Sequence, residues 1–253
     1  MSLLVTDAIV LHSADYLESS RIFRLATREA GVQSVLARGA RSSRKRFGSA
    51  LGLFAEGHAQ IATKPGRDLH TLLSFDVVKV RPGLAADLGR FTASSALAES
   101  VLRIVHEEAA PQVYDGIVSG LDAIAAADSA NTTSVALGVL WRLVSDVGFT
   151  PSMEECSECH ERIPDDGDVM FSHHAGGVVC MRCGVRTPGG RRLPASARRR
   201  IVSWLASASK AVELTDGEQR AHRRLLREFL SHHLPDARAM RAYLVWEQGA
   251  WGG

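Results

Sequence analysis

The spacing of apolar residues changes once along the chain, at Arg81-Pro82-Gly83, and that change limits the folds open to it. Before it, five runs (residues 3–12, 20–28, 32–38, 53–63 and 69–80) are rich in Val, Ile, Leu and Phe, and several alternate apolar with polar residues as strands do. Turn signals separate them at Ala30-Gly31, in the loop 39–48 and at Lys64-Pro65-Gly66-Arg67-Asp68. After it the spacing is helical, with Leu97, Val101, Leu102 and Val105 in one segment, Ile117, Leu121 and Ile124 in the next, and Val135, Leu137, Val139, Leu140, Leu143 and Val147 in a third. Capping residues Asn131-Thr132-Thr133-Ser134 and Gly148 bracket the third helix. Further helices are expected at 195–210, 217–233 and 236–247. The reading is an α+β chain. Five short strands fit a small closed barrel of the OB-fold kind, and an open meander or an SH3-like barrel fits nearly as well. The expected domains are an N-terminal OB-fold barrel at 1–80 and a helical domain at 81–253.

A turn-rich segment, about 150–194, interrupts the helices and carries all four cysteines. Cys156-Ser-Glu-Cys159 and Cys180-Met-Arg-Cys183 are two C-x2-C turns with 20 residues between them. Each turn puts two thiolates on one side of a tight loop, and two turns complete the tetrahedron that zinc prefers, with no position left for a water. One structural Zn2+ per chain is expected, and its binding energy would serve the folding of a segment poor in apolar residues. His160, His173 and His174 lie nearby, but four cysteines already fill the shell, so these histidines are read as solvent-exposed loop residues.

No catalytic centre is legible, and an enzyme is not expected. The chain has no G-x-S-x-G, no Walker loop, no G-x-G-x-x-G after a strand and no H-E-x-x-H. His106-Glu107-Glu108 matches the H-x-E of zinc deaminases by letter, yet Glu155 and Val179, not proline, precede the two knuckles, and the second knuckle would have no role. The opening residues lack a basic region before an apolar stretch, and no run reaches the length of a membrane span. The expectation is a soluble, cytoplasmic protein.

The net charge of +2 conceals a segregation. Residues 1–80 carry +4, residues 81–155 carry −6 and residues 156–253 carry +4. Two windows, 30–55 with five basic residues and 169–212 with eight, contain no acid at all, a footprint expected of a polyanion partner. In the first, RGARSSRKRFG (residues 38–48) sets Arg38, Arg41, Arg44, Lys45 and Arg46 between the third and fourth expected strands, with glycines at both ends that let the backbone bend toward a ligand. These five, with Arg21 and Arg24 on the second strand, are the candidate phosphate contacts. Phe47 is either a platform for a base or a core anchor. The second window, around Arg191-Arg192 and Arg198-Arg199-Arg200, meets a partner or forms a solvated surface.

Taken together these residues resemble the RecO family of bacterial recombination mediators over nearly the whole chain. Tyr16-Leu17-Glu18-Ser19 is similar to the family's Y-x-E-S element, VLARGARSSRKRFGSALGLFAEG to its V-x-K-G-A-R segment, and VGFTPSMEECSECH and FSHHAGGVVCMRC to its cysteine segments. Arg38 stands where that pattern has lysine, and Gly52-Leu53 where it has glutamine and proline. The resemblance implies an OB domain, a helical domain interrupted by the zinc module, and no active site. It further implies binding of single- and double-stranded DNA, annealing of complementary strands, contact with the C-terminal tail of single-stranded-DNA-binding protein, and partnership with RecR in loading RecA. A zinc-ribbon interaction adaptor or transcription factor, its basic face turned to an acidic protein, is the competing reading.

Overall fold

The computed structural model describes residues 2–40, 47, 51–106, 108–207, 211–233 and 240–249. The chain forms two compact units, Met1–Ala126 and Ala127–Gly253.

In the first unit, β1 (Ser2–Tyr16), β2 (Ser20–Thr27), β3 (Gly31–Ala37), β4 (Glu56–Thr63) and β5 (Leu69–Lys79) close into a barrel in the order β1-β2-β3-β5-β4. Neighbours are antiparallel except β3 and β5, which run parallel with Ser34 opposite Leu69. A meander has no such parallel pair, so the OB topology is the one adopted. Closure depends on β1 having 15 residues: Ser2 to Ile9 pair with β4, Ala8 to Tyr16 pair with β2, and a register shift between Val10 and His12 bends the strand between its partners. The expected alternation is present on the inner face, where Ala8 and Val10, Phe23 and Leu25, Val35 and Ala37, and Ala59 and Ile61 fill the core. Phe47 is 1 % exposed and packs in this core with Phe23 and Phe75. It is an anchor for the returning chain, not a platform for a base.

Three helices belong to the same unit: α1 (Pro82–Ala85), α2 (Leu88–Ile104) and α3 (Pro111–Ala126). The barrel and these helices together make the compact unit that ends at Ala126. Asp87 caps α2 by accepting from the Arg90 N–H at 2.8 Å, and α2 packs against β1. Beyond α2 the chain returns to the barrel, and the His106 carbonyl accepts from the Val32 N–H at 3.1 Å. The approach is close enough that a Cβ on Gly31 would lie 2.0 Å from that carbonyl oxygen, and Gly31 also holds φ at +62°, so only glycine serves there. His106 and Glu108 therefore lie beyond the end of α2, with their backbone against Gly31 of the barrel.

The second unit contains α4 (Thr132–Asp146), a three-stranded sheet of β6 (Val169–Ser172), β7 (Gly177–Val179) and β8 (Arg191–Leu193) in the order β7-β6-β8, the short α5 (Met181–Gly184), and helices α6 (Ala195–Ala206), α7 (Asp216–His233) and α8 (Arg241–Gln248). The sheet was not expected from sequence, because strands of three or four residues are too short to show a period. Its core is aromatic. Phe229 of α7 packs on Trp141 of α4 at 5.5 Å and on Phe171 of β6 at 5.9 Å between ring centroids, which joins the helices to the cysteine segment.

Candidate metal centre and nucleic-acid interface

The four cysteines converge: the Sγ atoms of Cys156, Cys159, Cys180 and Cys183 all lie within 4.8 Å of one another, and no disulfide joins them. Local backbone bonding explains the convergence. The first knuckle is a small ribbon, with Cys156 N–H donating to the Glu161 carbonyl, His160 N–H to the Cys156 carbonyl, and His160 at φ +59° making the turn. The second knuckle leaves β7 directly and turns through the Gly184 N–H to Cys180 carbonyl bond of 2.8 Å. Ser157 N–H donates to the Val178 carbonyl at 2.8 Å and holds the two knuckles together. Gly177 is required because a Cβ there would lie 2.3 Å from the carbonyl oxygen of Ser152, with which it forms an isolated bridge.

The donor set fits a tetrahedral thiolate site. Ligands about 2.3 Å from a zinc ion stand about 3.8 Å apart, and Cys159 and Cys180 Sγ are 3.9 Å apart. Backbone N–H groups point at the sulfurs, Cys180 N–H to Cys156 Sγ at 3.2 Å and Cys183 N–H to Cys180 Sγ at 3.4 Å, which is the outer bonding that stabilises thiolates. Burial opposes ionisation of Cys156, but backbone donors from Cys159, Cys180 and Glu158 outweigh it and draw the thiol down to about 6. Cys183 is pushed up to about 12, first by its hydrogen bond with Cys180 and then by burial, so the cluster ionises unevenly until a cation replaces its protons. At the rim, Arg182 reaches Glu161 at 2.8 Å.

The histidines of this segment divide. His160 and His174 are exposed as expected. His173 is not: its ring packs edge-on against Phe171 at 5.4 Å and faces Glu228 at 3.4 Å, and burial lowers its pKa. This was not legible in the sequence, because Glu228 and Phe229, whose ring lies 6.3 Å from that of His173, come from α7, more than fifty residues away.

The second acid-free window is acid-free only in sequence. Arg191 pairs with Glu228 and Arg182 with Glu161, each at 2.8 Å, while Arg192 pairs with Asp168 and Arg200 with Glu218. Every one of these acids lies outside 169–212. Arg200 and the Thr215 backbone hold the Glu218 carboxyl down to about 2. Arg198 is 3 % exposed and donates to the Pro164 carbonyl, and Arg199 donates to the Asp165 carbonyl at 3.2 Å. Arg191, Arg198 and Arg199 thus tie the cysteine segment to the helices, Arg182 and Arg192 bond within the segment, and Arg200 joins α6 to α7.

Of the candidate phosphate contacts, Arg38 is exposed on the turn that follows β3. Arg41, Arg44, Lys45 and Arg46 lie outside the described residues. Arg21 is opposite Ala37 across β2 and β3, and donates to Asp15 at 3.1 Å and to Ser13 at 3.2 Å. Arg24 turns the other way. It is half-buried and reaches the Leu102 carbonyl near the C-terminal end of α2 at 3.4 Å, with its pKa lowered by burial and then by Arg103. Register thus brings Arg38 and Arg21 to one end of the barrel and takes Arg24 to the helix packed outside. Among the described residues, no helix is long and apolar enough to cross a membrane.

Comparison with known proteins agrees with this architecture. A family model described as "Recombination protein O N terminal" matches residues 1–81, and one described as "Recombination protein O C terminal" matches residues 85–241. The chain is 33% identical over 244 residues to the DNA repair protein RecO of Anaeromyxobacter sp. (strain K), covering 93% of each. It is 33% identical over 186 residues to that of Nocardioides sp. (strain ATCC BAA-499 / JS614), covering 72% of this chain and 74% of the relative. It is 28% identical over 237 residues to that of Desulfatibacillum aliphaticivorans, covering 90% and 91%.

Proposed function

The chain belongs to the RecO family of DNA repair proteins, and from that premise we propose that it is a non-catalytic recombination mediator that grips single- and double-stranded DNA through its barrel. The observation that carries the reading is the placement of Arg38, exposed on the turn where β3 of an OB barrel ends and the arginine-rich sequence begins, with Arg21 at the same barrel end. Arg38, Arg41, Arg44, Lys45 and Arg46 supply phosphate contacts that are indifferent to base sequence, and Arg21 is their neighbour. Arg24, engaged with α2, contributes least.

Annealing of complementary strands follows from such a grip, since neutralised phosphates let two strands approach. Partnership with RecR, contact with the C-terminal tail of single-stranded-DNA-binding protein, and indirect assistance to RecA belong to the same reading by family membership. Cys156, Cys159, Cys180 and Cys183 hold one structural Zn2+, which ties the two knuckles together and leaves no open coordination position.

Alanine at Arg41, Arg44 and Arg46 together tests the DNA site. Affinity for a short single strand is expected to fall, and the slope of log affinity against log salt to flatten by about two units, near 0.7 per lost contact. Unchanged affinity and slope would overturn the site. Annealing of oligonucleotides coated with single-stranded-DNA-binding protein, with and without RecR, reads the DNA and partner functions together.

A further inference from the structure

The β1–β2 turn stands at the same barrel end as Arg38. Tyr16 pairs with Ser20, and one residue further on Arg21 pairs with Ala37, so Tyr16 is two strand spacings, about 10 Å, from the strand that leads into Arg38. At this tip Tyr16 is 41% exposed and Leu17 is 76% exposed. Leu17 also holds φ at +54°, in the left-handed region that an aliphatic side chain rarely occupies. The left-handed backbone makes the hairpin turn, a place that glycine or asparagine usually fills, and it directs a large apolar side chain out to solvent beside Tyr16. Phe47, the aromatic residue of the arginine-rich segment itself, is sealed in the barrel core and presents no face to a ligand.

We propose that Tyr16, with Leu17 beside it, is the surface on which a base of single-stranded DNA stacks while its phosphates lie on the Arg38 side. This rests on the DNA-binding reading above and adds to it the residue that tells single from double strands. The charges agree with that orientation. Glu18 is exposed at the tip and repels phosphate, Asp15 is paired there with Arg21 at 3.1 Å, and Arg38 lies toward β3. The tip therefore suits the neutral base, and Arg38 suits the anion. Stacking is indifferent to base identity, since every base has a π-face, and it needs a base released from its duplex partner.

The test compares Tyr16→Ala and Tyr16→Phe with the unaltered full chain on single-stranded and double-stranded oligonucleotides of equal length, across salt. Tyr16→Ala is expected to weaken single-strand binding roughly five- to a hundredfold, the effect of one lost stack, with duplex affinity and the salt slope unchanged. Tyr16→Phe is expected to restore binding, because the ring and not the hydroxyl does the stacking. A 2-aminopurine base in the strand should be quenched on binding the unaltered chain and the phenylalanine variant, and not the alanine variant. Equal single-strand binding by Tyr16→Ala, or equal loss on both substrates, would overturn the stacking role while leaving the DNA-binding reading intact. Failure of the unaltered chain to bind any single strand would overturn both.

Discussion

Arg81 Nε donates to Asp122 Oδ1 at 2.7 Å, and it does so from a side chain that is 2 % exposed while the aspartate is 36% exposed. The same guanidinium donates to Glu56 Oε2 at 2.6 Å and to the Phe54 carbonyl at 3.1 Å, so one arginine links the residue entering β4, the strand itself and α3. Lys79 adds a second cation to Asp122 at 2.7 Å.

Removing Arg81 leaves two carboxylates and a carbonyl without their shared donor. Arg81→Ala is expected to destabilise the chain by about 3–5 kcal/mol, the usual effect of taking one partner from a buried pair. Arg81→Lys should recover only part of this, because an ammonium cannot direct three bonds from one plane. Burial raises the Asp122 pKa, but bonding to Lys79 and Arg81 outweighs it and leaves the group below its ordinary value. Its contribution is therefore present above the ordinary aspartate range and lost as pH falls through the lowered value. Denaturant unfolding of Arg81→Ala and Asp122→Asn at neutral and acid pH checks both statements.

Phe47→Ala empties space among Phe23, Phe75 and Leu72. A loss of about 3–5 kcal/mol is expected, with Phe47→Leu costing clearly less. DNA affinity per folded molecule should not change, and a specific loss of single-strand affinity in a stable Phe47→Leu protein would contradict the core role.

Metal analysis is expected to find one zinc per chain, and Cys156→Ser or Cys180→Ser to lower both metal content and melting temperature. A chelator should reproduce the loss of stability in the unaltered chain. Protein purified without chelator that holds no zinc would refute the assignment. Cobalt substitution should give the spectrum of four thiolates and no exchangeable water.

His222 is 3 % exposed with its ring edge-on to Trp204 at 4.9 Å, and burial, followed by the charge of Arg200, takes it down to about 4 from 6.5. The unfolded chain binds the proton more readily, so stability is full above pH 6.5 and falls as pH drops toward 4, by up to about 3 kcal/mol. His222→Leu should flatten the melting temperature over that interval. His173 and His233, also lowered by burial, act in the same direction.

The barrel and the cysteine cluster were legible because each leaves a mark in adjacent residues: the alternation of Phe23 and Leu25 or Ala59 and Ile61, and the paired C-x2-C turns. What sequence did not show depends on partners distant in the chain. The acid-free window 169–212 read as a free surface because Asp168, Glu218 and Glu228 fall outside it. His173 read as exposed because Phe229 arrives from α7. The strands of the cysteine segment were too short for their period to appear. Phe47 was open between two roles because burial, which decides between them, is not local.

The double pairing of β1 sets an order on biosynthesis. Its first half, Ser2 to Ile9, leaves the ribosome before its partner in β4, where Ser2 finally meets Thr63 with their hydroxyls 2.6 Å apart. At about 5–20 residues per second that partner follows several seconds later. Through that interval the nascent chain carries an unpaired strand edge, with Leu3 and Val5 beside it, and the barrel closes only when synthesis has passed the arginine-rich segment. β1 therefore waits half-paired for β4, and β5, made later still, closes the barrel between β3 and β4.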